Sequence, residues 1–302
     1  MLVLLATLLV VIMGVFIKLG NTCFIASMEQ LIKYKNPSKF LEIVNSWFWI
    51  ILLITLLQLT IGFKVIIISY ALSWMTFVGG VLLGLGAYFN SACSVGTISK
   101  IGVGNLNYLF TPIGMLISVF IFYHFPIDGP QQINDVSLIT LYPILFFIIS
   151  LVAIIFLFIY FTPRNKNLKV PRKIIGAPTT IIAICIILLL LIKKPWSYTK
   201  VISDIAQSNF NNITENLILF LIFFIAVILT SFFTKSFKPI PLKLKTVFNC
   251  LVGGALIGWG SQMIIGSHDT ITLYGFPLLL TSAVIAMLIN LFTIAACIKL
   301  FG

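Results

Sequence analysis

Nine apolar stretches, each close to 20 residues long, recur along this 302-residue chain and constrain its fold more than any other feature. They run over residues 2–19, 43–62, 65–90, 106–123, 138–161, 174–192, 216–234, 246–264 and 277–300. The hydrocarbon core of a bilayer is about 30 Å thick, and roughly 20 helical residues cross it. Lipid offers backbone groups no water, so segments of this kind fold as helices. The expected fold is all-α, a polytopic integral membrane protein with about nine transmembrane helices. Two shorter, mixed stretches, 22–34 and 92–104, read as re-entrant or interfacial helices, because a polar break at membrane depth must line protein or water.

Composition closes the soluble alternative. Hydrophobic residues make up 60% of the chain and charged residues 9%, too few to coat a water-soluble domain of this length. The net charge of +12 sits in short runs between apolar stretches, a pattern of membrane topology and not of nucleic-acid binding. Arg164, Lys166, Lys169, Arg172 and Lys173 place one loop in the cytoplasm. Lys235, Lys238, Lys243 and Lys245 place another there, and Lys33, Lys35 and Lys39 a third. Connections 124–137 and 193–215 fit the outer face. No basic residue precedes Lys18, so the first apolar stretch reads as a retained helix and not as a cleaved signal peptide. The expected location is the inner or plasma membrane, multi-pass, with the lipid bilayer as surroundings.

Gly79-Gly80-Val-Leu82-Leu-Gly84-Leu-Gly86 returns 174 residues later as Gly253-Gly254-Ala-Leu256-Ile-Gly258-Trp-Gly260, identical at five of eight positions. A small polar site follows seven residues after each copy, Cys93 in one and Ser267, after Gly266, in the other. Glycines at this spacing let helices pack closely. Repetition with the same downstream offset adds a second reading, a unit used twice. The charged loops place the first copy entering from outside and the second from inside, so the repeat is inverted. Interrupted helices meeting near the midplane in such repeats form transport sites. The chain therefore reads as one membrane domain, 1–302, of two pseudo-symmetric halves, 1–161 and 162–302.

Five cysteines, Cys23, Cys93, Cys185, Cys250 and Cys297, include no CxxC pair, so neither a disulfide framework nor a metal site is expected. Cys93 and Cys23 lie in polar breaks and are candidates for a substrate pathway, with apolar packing as the alternative. Cys185, in an aliphatic run, reads as packing, and Cys250 ranks above Cys297 as a pathway residue. A neutral thiol is a soft, weak donor that can contact an anion without holding it as a fixed positive charge would. An Asp at helix centre is costly in a membrane and has a job or a partner. For His268 and Asp269 the roles are proton coupling or, for Asp269, a helix cap. Lys100 is expected at cytoplasmic water and His124 in a solvated outer loop. No catalytic motif, P-loop or dinucleotide fingerprint stands in a fitting context, so no enzyme and no cofactor is expected.

At these residues the chain resembles the YeeE/YedE family of sulfur-transport membrane proteins. Asn90 to Leu106, with Cys93 and the following Gly102-Val-Gly104, looks like its first Gly-Cys motif. Lys18-Leu-Gly20-Asn21-Thr22-Cys23 with Ala26 and Glu29 is similar to its opening cysteine motif. Gly266-Ser267-His268-Asp269 with Tyr274-Gly275-Phe276-Pro277 resembles its second-half motif, with Ser267 where members carry cysteine. The resemblance implies membrane helices with shorter re-entrant ones, a small inorganic sulfur anion such as thiosulfate as substrate, and pore cysteines that pass it along. It also implies a soluble sulfurtransferase as a downstream partner. Some members are associated with selenium, and the alternative function is a membrane component of sulfur or selenium metabolism that carries sulfur covalently on a cysteine.

Overall fold

The computed structural model describes residues 2–20, 23–63, 69–125, 129–133, 137–161, 176–192, 195–207, 213–264 and 266–301. The basic loop after 161 lies outside them, as do Lys64, Asp128, Asp135, Lys193 and Lys194, so the topology argued from those charges rests on the sequence.

The fold is helical. In order come α1 (Leu2–Gly20), α2 (Phe24–Lys33), α3 (Ser38–Ile61), α4 (Trp74–Asn90), α5 (Ser94–Gly102), a 3-10 turn (Leu106–Leu109) and α6 (Phe110–His124). Then follow α7 (Leu138–Leu141), α8 (Pro143–Phe161), α9 (Ala177–Leu191), α10 (Tyr198–Ala206), α11 (Ile213–Phe233) and α12 (Leu244–Met263). The chain closes with α13 (His268–Thr270), a π turn (Ile271–Gly275) and α14 (Thr281–Phe301). Two short strands, Ser69–Tyr70 and Gln132–Ile133, pair antiparallel and tie the approach to α4 to the approach to α7.

Among the described residues seven spans are long and apolar enough to cross a bilayer, and an eighth qualifies if Leu244–Met263 and His268–Gly275, bent by 54°, form one. The count of nine is not reached among the described residues because the sixth stretch, 174–192, folds there as α9, only 15 residues. At 1.5 Å per residue that is about 22 Å, short of a hydrocarbon core. Gly176, left-handed at φ 92°, and Pro178 set where α9 begins. The expected outer loop 193–215 also needs correction. Its middle is α10, whose Tyr198, Val201 and Ile202 are buried along with Trp196 just before it.

The repeated glycines make the central helix crossing. A Cβ on Gly86 would stand 2.7 Å from the Gly253 carbonyl oxygen, and one on Gly260 2.9 Å from that of Gly79. Contact of 79 with 260 and of 86 with 253 means that α4 and α12 run antiparallel. Their remaining glycines face outward to a third helix each. Gly80 and Gly84 take the Ala286 and Asn290 carbonyls of α14, and Gly254 and Gly258 take Thr111, Met115 and Ser118 of α6. Glycine lets backbones approach this closely, where dispersion and weak contacts hold helices together without a hydrophobic driving force. Peripheral α8 leans on α3 and leaves most of its apolar side chains exposed, as suits lipid contact.

Adding 174 to the bounds of α1 to α6 lands, within a few residues, on α9 to α14, with α5 landing on α13 and the π turn. Only α7 and α8 fall between the two series.

Candidate functional site

Four helix pairs are interrupted at polar residues. Cys23 precedes α2, Cys93 precedes α5, Ser197 precedes α10 and Ser267 precedes α13. Cys23 and Cys93 are 70 residues apart, as are Ser197 and Ser267.

Cys93 is fully buried and its thiol lies 3.6 Å from the sulfur of Cys23, itself buried. The backbone N–H of Gly96 donates to the Cys93 sulfur at 3.4 Å, so the thiol caps α5. A side chain at position 96 would collide with the Cys23 sulfur. Asn90 fixes the break from below. Its amide donates to the Ala92 carbonyl at 2.9 Å and to Thr97 at 2.8 Å, and its oxygen accepts from Thr111 at 2.7 Å. Ser91 takes the left-handed conformation that ends α4, φ 51°.

The second pair is bound by oxygens. Asp269 is 3% exposed and accepts from the Thr199 hydroxyl at 2.6 Å and from the Thr199 backbone N–H at 3.3 Å. It therefore caps α10, a helix 70 positions away in the chain, as well as meeting backbone N–H groups of its own short turn. Ser197 accepts from the Lys200 N–H at 3.2 Å and from the Thr270 hydroxyl at 3.2 Å. Tyr274 donates to the Trp196 carbonyl at 3.0 Å. A carboxylate and a hydroxyl at one helix N-terminus satisfy backbone N–H groups that the helix itself leaves unpaired.

Two small cavities lie between these breaks. One, of about 40 Å³, is lined by Cys93, Phe24, Ser46, Thr179 and Thr272 among aliphatic side chains. The other, of about 20 Å³, is lined by Ser197, Tyr198 and Asp269, with Met13 and Phe223. Ile17, Val95 and Leu273 wall both, so a single layer of side chains separates them. Near them stand buried polar groups without a hydrogen-bond partner among the described residues: the Ser94, Tyr198, Ser267 and Thr272 hydroxyls and both ring nitrogens of His268, of which a neutral ring has one donor and one acceptor. Buried polar groups in folded proteins are nearly always paired, and each exception calls for an explanation.

Of the sequence-predicted pathway residues, Cys23 and Cys93 meet, and Ser267, His268 and Asp269 share the facing break. His268 lies near Asn290 and 6.4 Å, centroid to centroid, from the Phe24 ring. Cys250 does not join them. It is buried on α12 toward Thr111 and reaches the site only through the Thr111–Asn90 link. Gly266, φ 104°, turns the chain into Ser267, and the other six predicted glycines serve the helix crossing described above. Cys185 and Cys297 are buried in the packing of α9 and α14. Lys100 is held in place, donating to the Ser91 carbonyl at 2.7 Å and the Tyr108 hydroxyl at 2.6 Å. His124 is the last residue of α6, exposed, with Nδ1 2.9 Å from the Phe120 carbonyl.

A family model described as sulphur transport matches residues 19–296, a span that takes in all four breaks. The chain belongs to the sulphur transport family. No curated protein matches it. As a member of that family with seven or more membrane-crossing helices, the protein is a multi-pass membrane sulfur transporter. Sequence reasoning missed Ser197, Tyr198, Thr199 and Thr272 in this sulphur transport protein. The signal was present, since adding the repeat's offset to Cys23 gives Ser197.

Proposed function

We propose that the protein is a permease for a small inorganic sulfur anion, thiosulfate before others, and that the anion passes the four helix breaks between Cys23, Cys93, Ser267, His268 and Asp269. The observation that carries this reading is the buried thiol pair beside a cavity lined by Cys93 and by Thr272, whose hydroxyl has no hydrogen-bond partner among the described residues. Thiosulfate has a soft terminal sulfur and three oxyanion acceptors. Neutral thiols suit the first, and the hydroxyls of Thr272, Ser94 and Tyr198 suit the second. Several weak donors favour passage, because a site must release an ion as readily as it admits one.

The interrupted helices α2, α5, α10 and α13 enter the bundle in this reading as re-entrant elements of an inverted repeat. Supporting it are the antiparallel α4–α12 crossing and the element order that recurs after 174 residues. One membrane domain of two halves follows, with α7 and α8 as the connector between them. Transport, not catalysis, is the function proposed, and a soluble sulfurtransferase receiving the imported sulfur is the partner the family resemblance suggests.

The test is uptake of radiolabelled thiosulfate into liposomes holding the purified protein, with sulfate as competitor and Cys93→Ser as the paired variant. Wild-type uptake that excess sulfate leaves intact and that Cys93→Ser abolishes is the expected result. Uptake indifferent to Cys93→Ser removes the thiol from the mechanism. Persistent labelling of Cys93 by the sulfur of thiosulfate, without transfer across the membrane, favours the covalent carrier instead.

A further inference from the structure

The proposed pathway has a buried acidic side chain beside it. Asp269 is the only acidic side chain buried among the described residues, and no Lys or Arg among them is buried. No cation among them stands within ion-pair distance of its carboxylate. Its cavity shares three wall residues with the cavity beside Cys93, and Tyr198 lies near both groups. An anion at the thiols thus approaches an uncompensated carboxylate across one layer of side chains, in a low-dielectric interior where like charges repel over such distances.

A second observation points to what relieves this. Tyr198 lines the Asp269 cavity, and its buried hydroxyl lies near Ser94 without meeting hydrogen-bond distance to any partner among the described residues. Three polar side chains, Asp269, Ser197 and Tyr198, reach that space, and the remaining side-chain lining is apolar or the indole of Trp196. A hard metal cation requires about six oxygen ligands, more than the four side-chain oxygens that these three residues carry. A proton requires one.

We propose that Asp269 is a proton-binding site and that one proton travels with each sulfur anion that passes the thiols. This rests on the permease reading above. The carboxylate accepts the proton as the anion occupies the thiol cavity, and releases it when the anion leaves. Thr199 holds the carboxyl in place, and Tyr198 faces it from α10. Tyr274 faces it from the π turn and His268 adjoins it in sequence. Around its cavity α1 presents Met13 and Ile17, α5 Val95 and α11 Phe223, none of them titratable. His268 is a less suitable carrier, because its ring points to Phe24 and Asn290 and lines neither cavity.

The experiment uses proteoliposomes containing the full chain and a trapped pH-sensitive dye, with the membrane potential clamped by potassium and valinomycin. Adding thiosulfate outside is expected to acidify the interior in step with uptake. An acid-outside gradient is expected to raise thiosulfate accumulation by up to about tenfold per pH unit, the limit for one proton per anion. In Asp269→Asn the remaining uptake is expected to ignore the gradient, and Asp269→Glu to restore the response. Thiosulfate uptake by the wild type without proton movement overturns the coupling and leaves the permease standing. So does uptake that requires sodium in place of protons, while no thiosulfate uptake at all overturns both readings. The wild-type dye trace decides the matter even where the Asn variant fails to fold.

Discussion

Cys93 directs its thiol at the sulfur of Cys23 from 3.6 Å, although the two are 70 positions apart in the chain with three helices, α2, α3 and α4, between them. Each thiol sits at the start of a short helix, and both helices start from breaks in longer ones. A disulfide places the sulfurs about 2.05 Å apart, so a small movement of either break suffices to join them. Treatment with diamide or copper-phenanthroline is expected to link Cys23 to Cys93 and to lower the intact mass by two hydrogens. Thiosulfate uptake should stop and should return with dithiothreitol. Peptide mapping that finds both cysteines still free after exhaustive oxidation defeats this expectation.

Gly96 is what allows the two thiols to approach. A Cβ there would strike the Cys23 sulfur, while Gly96 itself supplies the N–H that holds the Cys93 sulfur. Gly96→Ala therefore has to push α2 and α5 apart, an overpacking that costs about 1–3 kcal/mol. Oxidative cross-linking of Cys23 to Cys93 is expected to slow or fail in this variant, and uptake to fall, at normal membrane abundance. Cross-linking at the wild-type rate means the break tolerates the methyl group.

Much of this arrangement was legible in the sequence, and the losses have physical causes. Helical segments follow from apolar length alone, and each of the nine stretches contains a helix, though among the described residues 65–90 is helical only from Trp74. Whether each one spans depends on where turns cut it, and Gly176 with Pro178 shortens α9 below what its apolar run suggests. Glycine spacing revealed close packing and the repeat, because no other residue permits backbone contacts such as Gly86 against Gly253. The second oxygen-lined break stayed hidden because Ser197-Tyr198-Thr199-Lys200 is as polar as any loop. Its burial comes from the tertiary packing of Trp196 and Tyr198 against Phe223. The role of Asp269 as a cap was foreseen, but not that it caps a helix from the other side of the break, which no local pattern encodes.

Thr199 provides the direct test of that cap. Its hydroxyl and its N–H both reach Asp269, and removing the hydroxyl leaves a buried carboxyl oxygen short of its strongest bond. The penalty for such an orphaned group is about 1–3 kcal/mol. Thr199→Val, nearly the same shape, is expected to lower the thermal unfolding temperature in detergent and to weaken the pH response of uptake. Thr199→Ser is expected to keep both, since it preserves the hydroxyl. Equal stability of the Val and Ser variants means the hydroxyl bond contributes nothing.

The antiparallel glycine crossing makes a sharp stability contrast. At Gly86 an added Cβ meets the Gly253 carbonyl oxygen at 2.7 Å and the Ile257 backbone nitrogen at 2.9 Å, atoms that cannot rotate away. At Gly129 an added Cβ meets nothing within 4 Å. Gly86→Ala must therefore separate α4 from α12 and is expected to destabilise by about 1–3 kcal/mol, whereas Gly129→Ala stays near wild type. Because α4 continues into the Asn90–Cys93 break, the displacement carries to the thiols, and Gly86→Ala should reduce uptake as well as stability. Thermal unfolding of the two variants side by side measures the first effect and liposome uptake the second. Equal unfolding temperatures for Gly86→Ala and Gly129→Ala require that α4 and α12 do not cross as tightly as the backbone contacts place them.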